Sequence, residues 1–277
     1  TCPSRLFVSG YFSTVHVFDA CTGTHLRNLD ARSRLNGAQA MRLGRDGLLY
    51  VVAETGRAIH KYRPDTLEYA GLFASTPPMG PLGIDFAADG TVYVAGYDSN
   101  DVKKYDSSGN LTGPAFAAGA SGINGPEIGT ILGPDGNLYV PGYNSHNVIR
   151  FDPRTGATSV VVPPRAGGIF RPRGLLLDRD GKHFFLAAEG SGQVMRLRIA
   201  DGNLTEFARG LSGSTMIAWA PDGNLLVVHD GGVARLDANT GANLGMLVAP
   251  GAGGLNGPTF ITVLPSAAAR TPDRSQT

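Results

Sequence analysis

Charge is scarce in this chain and balanced where it occurs. Only 17% of the 277 residues are Asp, Glu, Lys or Arg, and 24 basic side chains face 23 acidic ones. A net charge of +1 gives no field to gather nucleic acid or an acidic membrane, so neither is expected as a partner. No run of 18 apolar residues occurs, which excludes insertion into a membrane as a helix. Cysteine is limited to Cys2 and Cys21, and tryptophan to Trp219. Glycine and proline are what the chain has in quantity, 39 and 18 residues beside a 42% hydrophobic fraction. That balance belongs to a turn-dense, all-β protein with a sizeable core, and neither to a helical bundle nor to a disordered chain.

The turns recur. Asp-Gly stands at Asp46, Asp89, Asp135, Asp180 and Asp222, a period of 42 to 46 residues. Each pair is followed by a short β-rich run, such as LLYVV from Leu48, TVYVA from Thr91 and NLYVP from Asn137. About ten residues on comes a second run in which Ile59, Val102, Val148, Val194 and Val233 share one position. A turn, a weaker strand and a Gly/Pro-rich link complete each unit, giving four antiparallel strands. A sheet of that size cannot bury both faces alone, so the units are expected to stack radially as propeller blades.

Five blades are complete and the sixth is split. RLFVSG, TVHVFD and the segment after Cys21 supply three strands at the N-terminus, and PTFITVLP from Pro258 supplies the innermost one. The expected fold is therefore a six-bladed β-propeller over residues 1–265, its last blade closed by both chain ends, with a disordered polar tail at 266–277. Cys2 and Cys21 fall at one end of the split blade. They are read as a disulfide across 18 intervening residues, which implies an oxidising compartment and a secreted or periplasmic protein; the alternative is two free thiols. A monomer is expected.

Several conspicuous residues are repeat positions. Lys61, Lys104, Arg150, Arg196 and Arg235 occupy one site in five blades, where pairing with an acidic neighbour between blades is expected rather than phosphate binding. Trp219 aligns with Leu43, Phe86, Leu132 and Leu177 and is read as core. Arg42 and Asp85 depart from the repeat in adjacent blades and are expected to form a buried ion pair that fixes register.

The links into the inner strands and the loops after the second strands emerge opposite the Asp-Gly turns, and that end is the expected ligand face. The repeat places Gln39, Glu54, Tyr97, Asn124, Tyr143, Asn144, Thr215 and Thr259 there as ligand-binding candidates. Glu127, Arg173, Glu189 and His229 join them as candidate catalytic residues. A binding module needs only such a polar and aromatic rim, for a small molecule, glycan or peptide. An enzyme would take Glu127 and Glu54 as oxygen ligands for Ca²⁺ or Mg²⁺, His229 or Glu189 as acid or base, and Arg173 as the anchor of an anionic group.

The blocks PLGIDFAADGTVYVAG and NGPEIGTILGPDGNLYVPGYNSHNVIRFDPRTG resemble NHL-type propeller repeats and, over nearly the whole chain, streptogramin-lyase-like proteins. The metal-dependent reading resembles the gluconolactonase (senescence-marker) propellers. Their metal is held by an inner-strand Glu with Asn and Asp side chains, and Glu127 with its neighbours matches that part. LYVPG and VYVAG stand where streptogramin lyases carry a Trp-Phe-Thr-Glu type of strand ending. The resemblance implies the propeller fold and leaves two functions open: a ligand-binding module, or a Ca²⁺- or Mg²⁺-dependent hydrolase or lyase.

Overall fold

The computed structural model describes residues 2–29 and 34–266. The split blade begins with β1 (Ser4–Gly10), β2 (Val15–Asp19) and β3 (His25–Asn28). Five complete blades follow: β4 (Ala38–Leu43) to β5 (Leu49–Ala53), β6 (Ala58–Tyr62) and β7 (Tyr69–Ser75); then β8 (Pro81–Phe86), β9 (Val92–Gly96), β10 (Asp101–Tyr105) and β11 (Leu111–Pro114). The third has β12 (Ile131–Leu132), β13 (Leu138–Gly142), β14 (Asn147–Phe151) and β15 (Thr158–Val162), and the fourth β16 (Pro172–Leu177), β17 (His183–Ala188), β18 (Gln193–Arg198) and β19 (Leu204–Ala208). The fifth has β20 (Ile217–Trp219), β21 (Leu225–His229), β22 (Gly232–Leu236) and β23 (Asn243–Val248). Finally β24 (Pro258–Pro265) returns to pair with β1, with Arg5 opposite Leu264 and Val8 opposite Ile261. Six four-stranded antiparallel sheets result, as the repeat predicts.

Burial explains the strand composition. β5, β9 and β13 are buried at every residue because a blade's second strand is covered on both faces by its neighbours, so these runs are apolar throughout instead of alternating. The outer strands β3 and β11 have no buried residue and are polar and irregular. Large side chains such as Tyr139, Phe184 and Phe260 are fully enclosed, each contributing about 1.5–3 kcal/mol. At the Asp-Gly turns the Asp side chain accepts the backbone N–H two residues on, as in Asp46 to Leu48 and Asp222 to Asn224. The following glycines lie at positive φ, from 65° at Gly181 to 92° at Gly90, which is why glycine recurs there.

Three side-chain expectations are corrected. Arg42 and Asp85 do not pair among the described residues: Arg42 donates to the Ile84 carbonyl at 2.8 Å, and Asp85 accepts from the backbone N–H groups of Phe86 and Leu132. The next blade's backbone lies within the reach of each side chain and takes the bond first. The recurrent strand cations Arg196 and Arg235 pair within their own blades, with Asp178 and Asp180 and with Asp222; Arg235 also crosses to the Cys21 carbonyl. Trp219 is half-buried, with its indole N–H on the Leu177 carbonyl and the Arg179 guanidinium stacked 4.1 Å from its ring centroid. The expected tail lies outside the described residues beyond Ser266, whose N–H is bonded to the Pro3 carbonyl.

A disulfide joins Cys2 and Cys21. It ties the start of β1 to the β2–β3 turn and so restrains the blade that closes the ring. Under non-reducing conditions Cys21→Ser should lower unfolding stability by about 2–4 kcal/mol, and denaturant melts in reductant should bring wild type and variant together.

Candidate functional site

Sheet register places one side chain from each blade at the same height on the inner strand. Ala38 lies opposite Ala53, Pro81 opposite Gly96, Pro126 opposite Gly142, Pro172 opposite Ala188 and Pro258 opposite Gly10. The next residue in each case, Gln39, Leu82, Glu127, Arg173 or Thr259, with Thr215 from the fifth blade, lines the mouth of the axis. A second ring follows one residue after each of those partners. Tyr11, Glu54, Tyr97, Tyr143 and Glu189, with Asp230, each donate a backbone N–H to the link entering their own blade, at the carbonyls of Gly257, Gly37, Gly80, Gly125, Arg171 and Ser212. Three of these acceptors close Asn-Gly turns, with φ of 69° at Gly37, 70° at Gly125 and 64° at Gly257.

The rings enclose two adjoining cavities. The larger, about 460 Å³, is lined by Gln39, Arg173, Glu189, Thr215 and Thr259, with Tyr11 and Phe12 at its edge. The smaller, about 170 Å³, lies among Gln39, Glu54, Leu82, Tyr97, Glu127, Tyr143 and Arg173. Gln39 and Arg173 belong to both, so they form the wall between them.

Arg173 organises the charge. Its Nε donates to Glu127 Oε2 at 3.0 Å and its Nη1 to Glu189 Oε2 at 2.6 Å, with the Arg173 side chain 12% exposed and that of Glu127 2%. Glu127 Oε2 also accepts its neighbour Ile128's N–H, and Tyr143 OH donates to Glu189 Oε1 at 3.0 Å. Burial opposes the guanidinium's charge, but Glu127 and Glu189 outweigh it and raise its pKa further. Burial also raises the Glu127 carboxyl, against the pull of Arg173. Glu54 Oε2 accepts from Gln39 Nε2 at 2.6 Å, and its carboxyl is raised by burial, eased by the Gln39 amide and reinforced by Glu127. Two carboxyls, Glu127 and Glu189, therefore share one embedded guanidinium, and the third, Glu54, is held by the Gln39 amide.

Other candidates lie on the rim. Tyr97, Asn144 and Asn124 are joined by hydrogen bonds of 3.1 to 3.3 Å, and the Tyr97 ring meets Tyr143 edge-on at 6.0 Å. Thr259 donates to the Ala38 carbonyl at 2.8 Å. His229 stands apart from the set: its Nδ1 is 3.0 Å from the Ser212 carbonyl, and it lines neither cavity. The fifth blade turns after β21 through Asp230 and Gly231, both at positive φ, a tight two-residue hairpin that shifts His229 one place down the strand. Leu82 and Asp230 complete the rings and Phe12 edges the larger cavity, three residues that are not among the sequence candidates; an apolar side chain gives no chemical signal at Leu82, which stands after Pro81 as Glu127 stands after Pro126. For a cation, Glu54 and Glu127 are the available carboxylates, and an ion at Glu127 Oε2 would compete with the guanidinium already bonded there.

The chain matches no protein-family model and no curated protein. Its fold is similar to the propeller in a crystal structure of a nidogen/laminin complex, at 14% identity and a TM-score of 0.76, covering 94% of this chain and 98% of that one. It is also similar to a streptogramin B lyase, at 15% identity and a TM-score of 0.60 over 86% of this chain and 72% of that one. A virginiamycin B lyase from Staphylococcus aureus matches at 14% identity and a TM-score of 0.62, over 82% and 75% of the two chains. These likenesses show the fold alone, and the blade number is that of the six sheets described above.

Two outcomes follow from the charge arrangement. Arg173→Ala should lower stability by about 3–5 kcal/mol in urea melts, because Glu127 is left buried without its partner, and adding Glu127→Gln to that variant should recover part of the loss. Glu54 favours the folded state in its neutral form, since its folded pKa lies above its unfolded one. The stability this contributes is complete below the unfolded pKa and is lost as pH rises through the folded one. Glu54→Gln should therefore be more stable than wild type at neutral pH, with the gap closing as the melts are repeated toward pH 4.

Proposed function

We propose that this protein is a secreted, monomeric ligand-binding propeller that takes a small molecule, glycan or peptide segment into the funnel bounded by the two rings. One observation carries the reading: at a single end of the axis, the residues that break the repeat line two contiguous cavities, while the strand positions beneath them follow it. Exposed Phe12, half-buried Tyr11 and the Tyr97/Tyr143 pair supply apolar contact, and Gln39, Arg173 and Thr215 supply directional bonds, the composition of a recognition surface. The disulfide suits an oxidising compartment, and among the described residues no helix is long and apolar enough to cross a membrane. A propeller of very similar shape occurs in a nidogen/laminin complex, which favours a peptide or protein partner.

A hydrolase or lyase is the second reading, supported by the fold likeness to two lyases. His229 is held by a backbone carbonyl at Nδ1, which leaves Nε2 available as an acceptor, and Glu189 offers a carboxylate. Binding is preferred because His229 lines neither cavity and because Arg173 and the Ile128 N–H already occupy Glu127 Oε2, leaving only Oε1 of that carboxylate for Ca²⁺ or Mg²⁺. Peptide and glycan arrays probed with wild type, Tyr97→Ala, Thr215→Val and Lys104→Ala decide the matter. A ligand of the funnel should be lost by about tenfold or more in the first two variants and kept in Lys104→Ala. Loss confined to Lys104→Ala places the site elsewhere, and turnover abolished by chelator favours the enzyme.

A further inference from the structure

Two polar atoms in the larger cavity are buried without a hydrogen-bond partner among the described residues, Gln39 Oε1 and Thr215 Oγ1, on residues only 2% and 4% exposed. Leaving such a group unpaired costs about 1–3 kcal/mol, so the pair marks a place where a partner is missing. Their chemistry restricts what that partner is. Glu54 accepts from Gln39 Nε2, which leaves the amide Oε1 as an acceptor without a partner. Thr259 donates its hydroxyl to the Ala38 carbonyl and keeps lone pairs free at the same mouth. Glu54 has no cation at ion-pair distance among the described residues, whereas the Arg173 guanidinium is engaged by Glu127 and Glu189. The mouth is thus rich in acceptors and holds in Glu54 a carboxyl without an ion-pair partner among the described residues, and Tyr11, Phe12, Val228 and Pro258 give its larger cavity an apolar side.

Building on the funnel reading, we propose that the group recognised is a primary ammonium on an aliphatic stem, its N–H donors directed to Gln39 Oε1, Thr215 Oγ1 and Thr259 Oγ1 of the larger cavity, with the Glu54 carboxylate, bonded to the far side of Gln39, as the countercharge. An ammonium supplies three donors and one positive charge, and its stem suits the Tyr11/Phe12 side. A hard divalent ion asks for six or more oxygens, which this set does not assemble. Glu54, faced by Gln39, Glu127, Arg173 and Asp98, must be ionised to make the pair, so binding releases a proton there and strengthens as pH rises through its elevated pKa. Both a lysine side chain of a peptide and a free alkylamine carry this chemistry.

The test is protein-observed NMR titration of the intact protein with n-hexylammonium, Nα-acetyl-lysine methylamide, n-hexanoate and CaCl₂ in parallel. Both ammonium probes should shift resonances of Gln39, Thr215 and Glu54, with affinity rising as pH increases although the probes stay charged throughout. Glu54→Gln and Thr215→Val should each weaken them by about tenfold, the loss of the countercharge and of one strong hydrogen bond respectively. Tighter binding of the lysine derivative assigns a peptide side chain, and tighter binding of hexylammonium a free amine. Funnel shifts from hexanoate or Ca²⁺ without any from the ammonium probes overturn the ammonium assignment and leave the funnel reading standing. Shifts confined to residues outside both rings overturn the two together.

Discussion

Everything in this molecule depends on β24 finding β1. Six wedge-shaped sheets in a row would leave an unpaired strand edge at each end, and only pairing between the first and last strands makes every blade a neighbour on both sides. That pairing spans nearly the full chain, so it is bought with a large loop-closure entropy, and the Cys2–Cys21 link and the Ser266 to Pro3 bond both restrain the blade where closure occurs. The funnel inherits the constraint directly. Thr259 enters from the last strand and Tyr11 from just after the first, so the mouth is complete only once both chain ends are in place.

Within the mouth, Arg173 plays the corresponding part. It sits on the fourth blade between a carboxylate of the third, Glu127, and one of its own, Glu189, and Tyr143 of the third blade braces Glu189 from the other side. Buried ion pairs of this kind seldom add much net stability, since the cost of removing both charges from water offsets their attraction. What the arrangement does is fix orientation: with the guanidinium anchored on two sides, the wall between the two cavities has one geometry.

Much of this was legible in the residues, and what was not has a common cause. The Asp-Gly period, the apolar second strands and the split final blade follow from hydrogen-bond and burial rules that act locally, so the sequence carries them plainly. The repeat also places Gln39, Glu127, Arg173, Thr215 and Thr259 at one end of the axis, and the fold brings them to one mouth. Side-chain partners across blades depend instead on how far one sheet is rotated against the next. Arg42 thus finds the Ile84 carbonyl before Asp85, Arg196 turns to its own blade's Asp178, and Trp219 stays half-covered under Arg179. A hairpin two residues shorter than that of the second complete blade sets His229 one place away from the ring, and Leu82, an apolar residue in a polar ring, carries no chemical signal.

That short hairpin has a consequence of its own. A propeller with six equal loops offers an entering molecule six nearly interchangeable approaches. Here the split blade turns through three residues and four blades through four, while the fifth complete blade turns through Asp230 and Gly231 alone, and Gly213, Val228 and Gly231 line the larger cavity on that side. The rim is therefore shortest at the fifth complete blade, and the pseudo-symmetry of the scaffold is broken on that side.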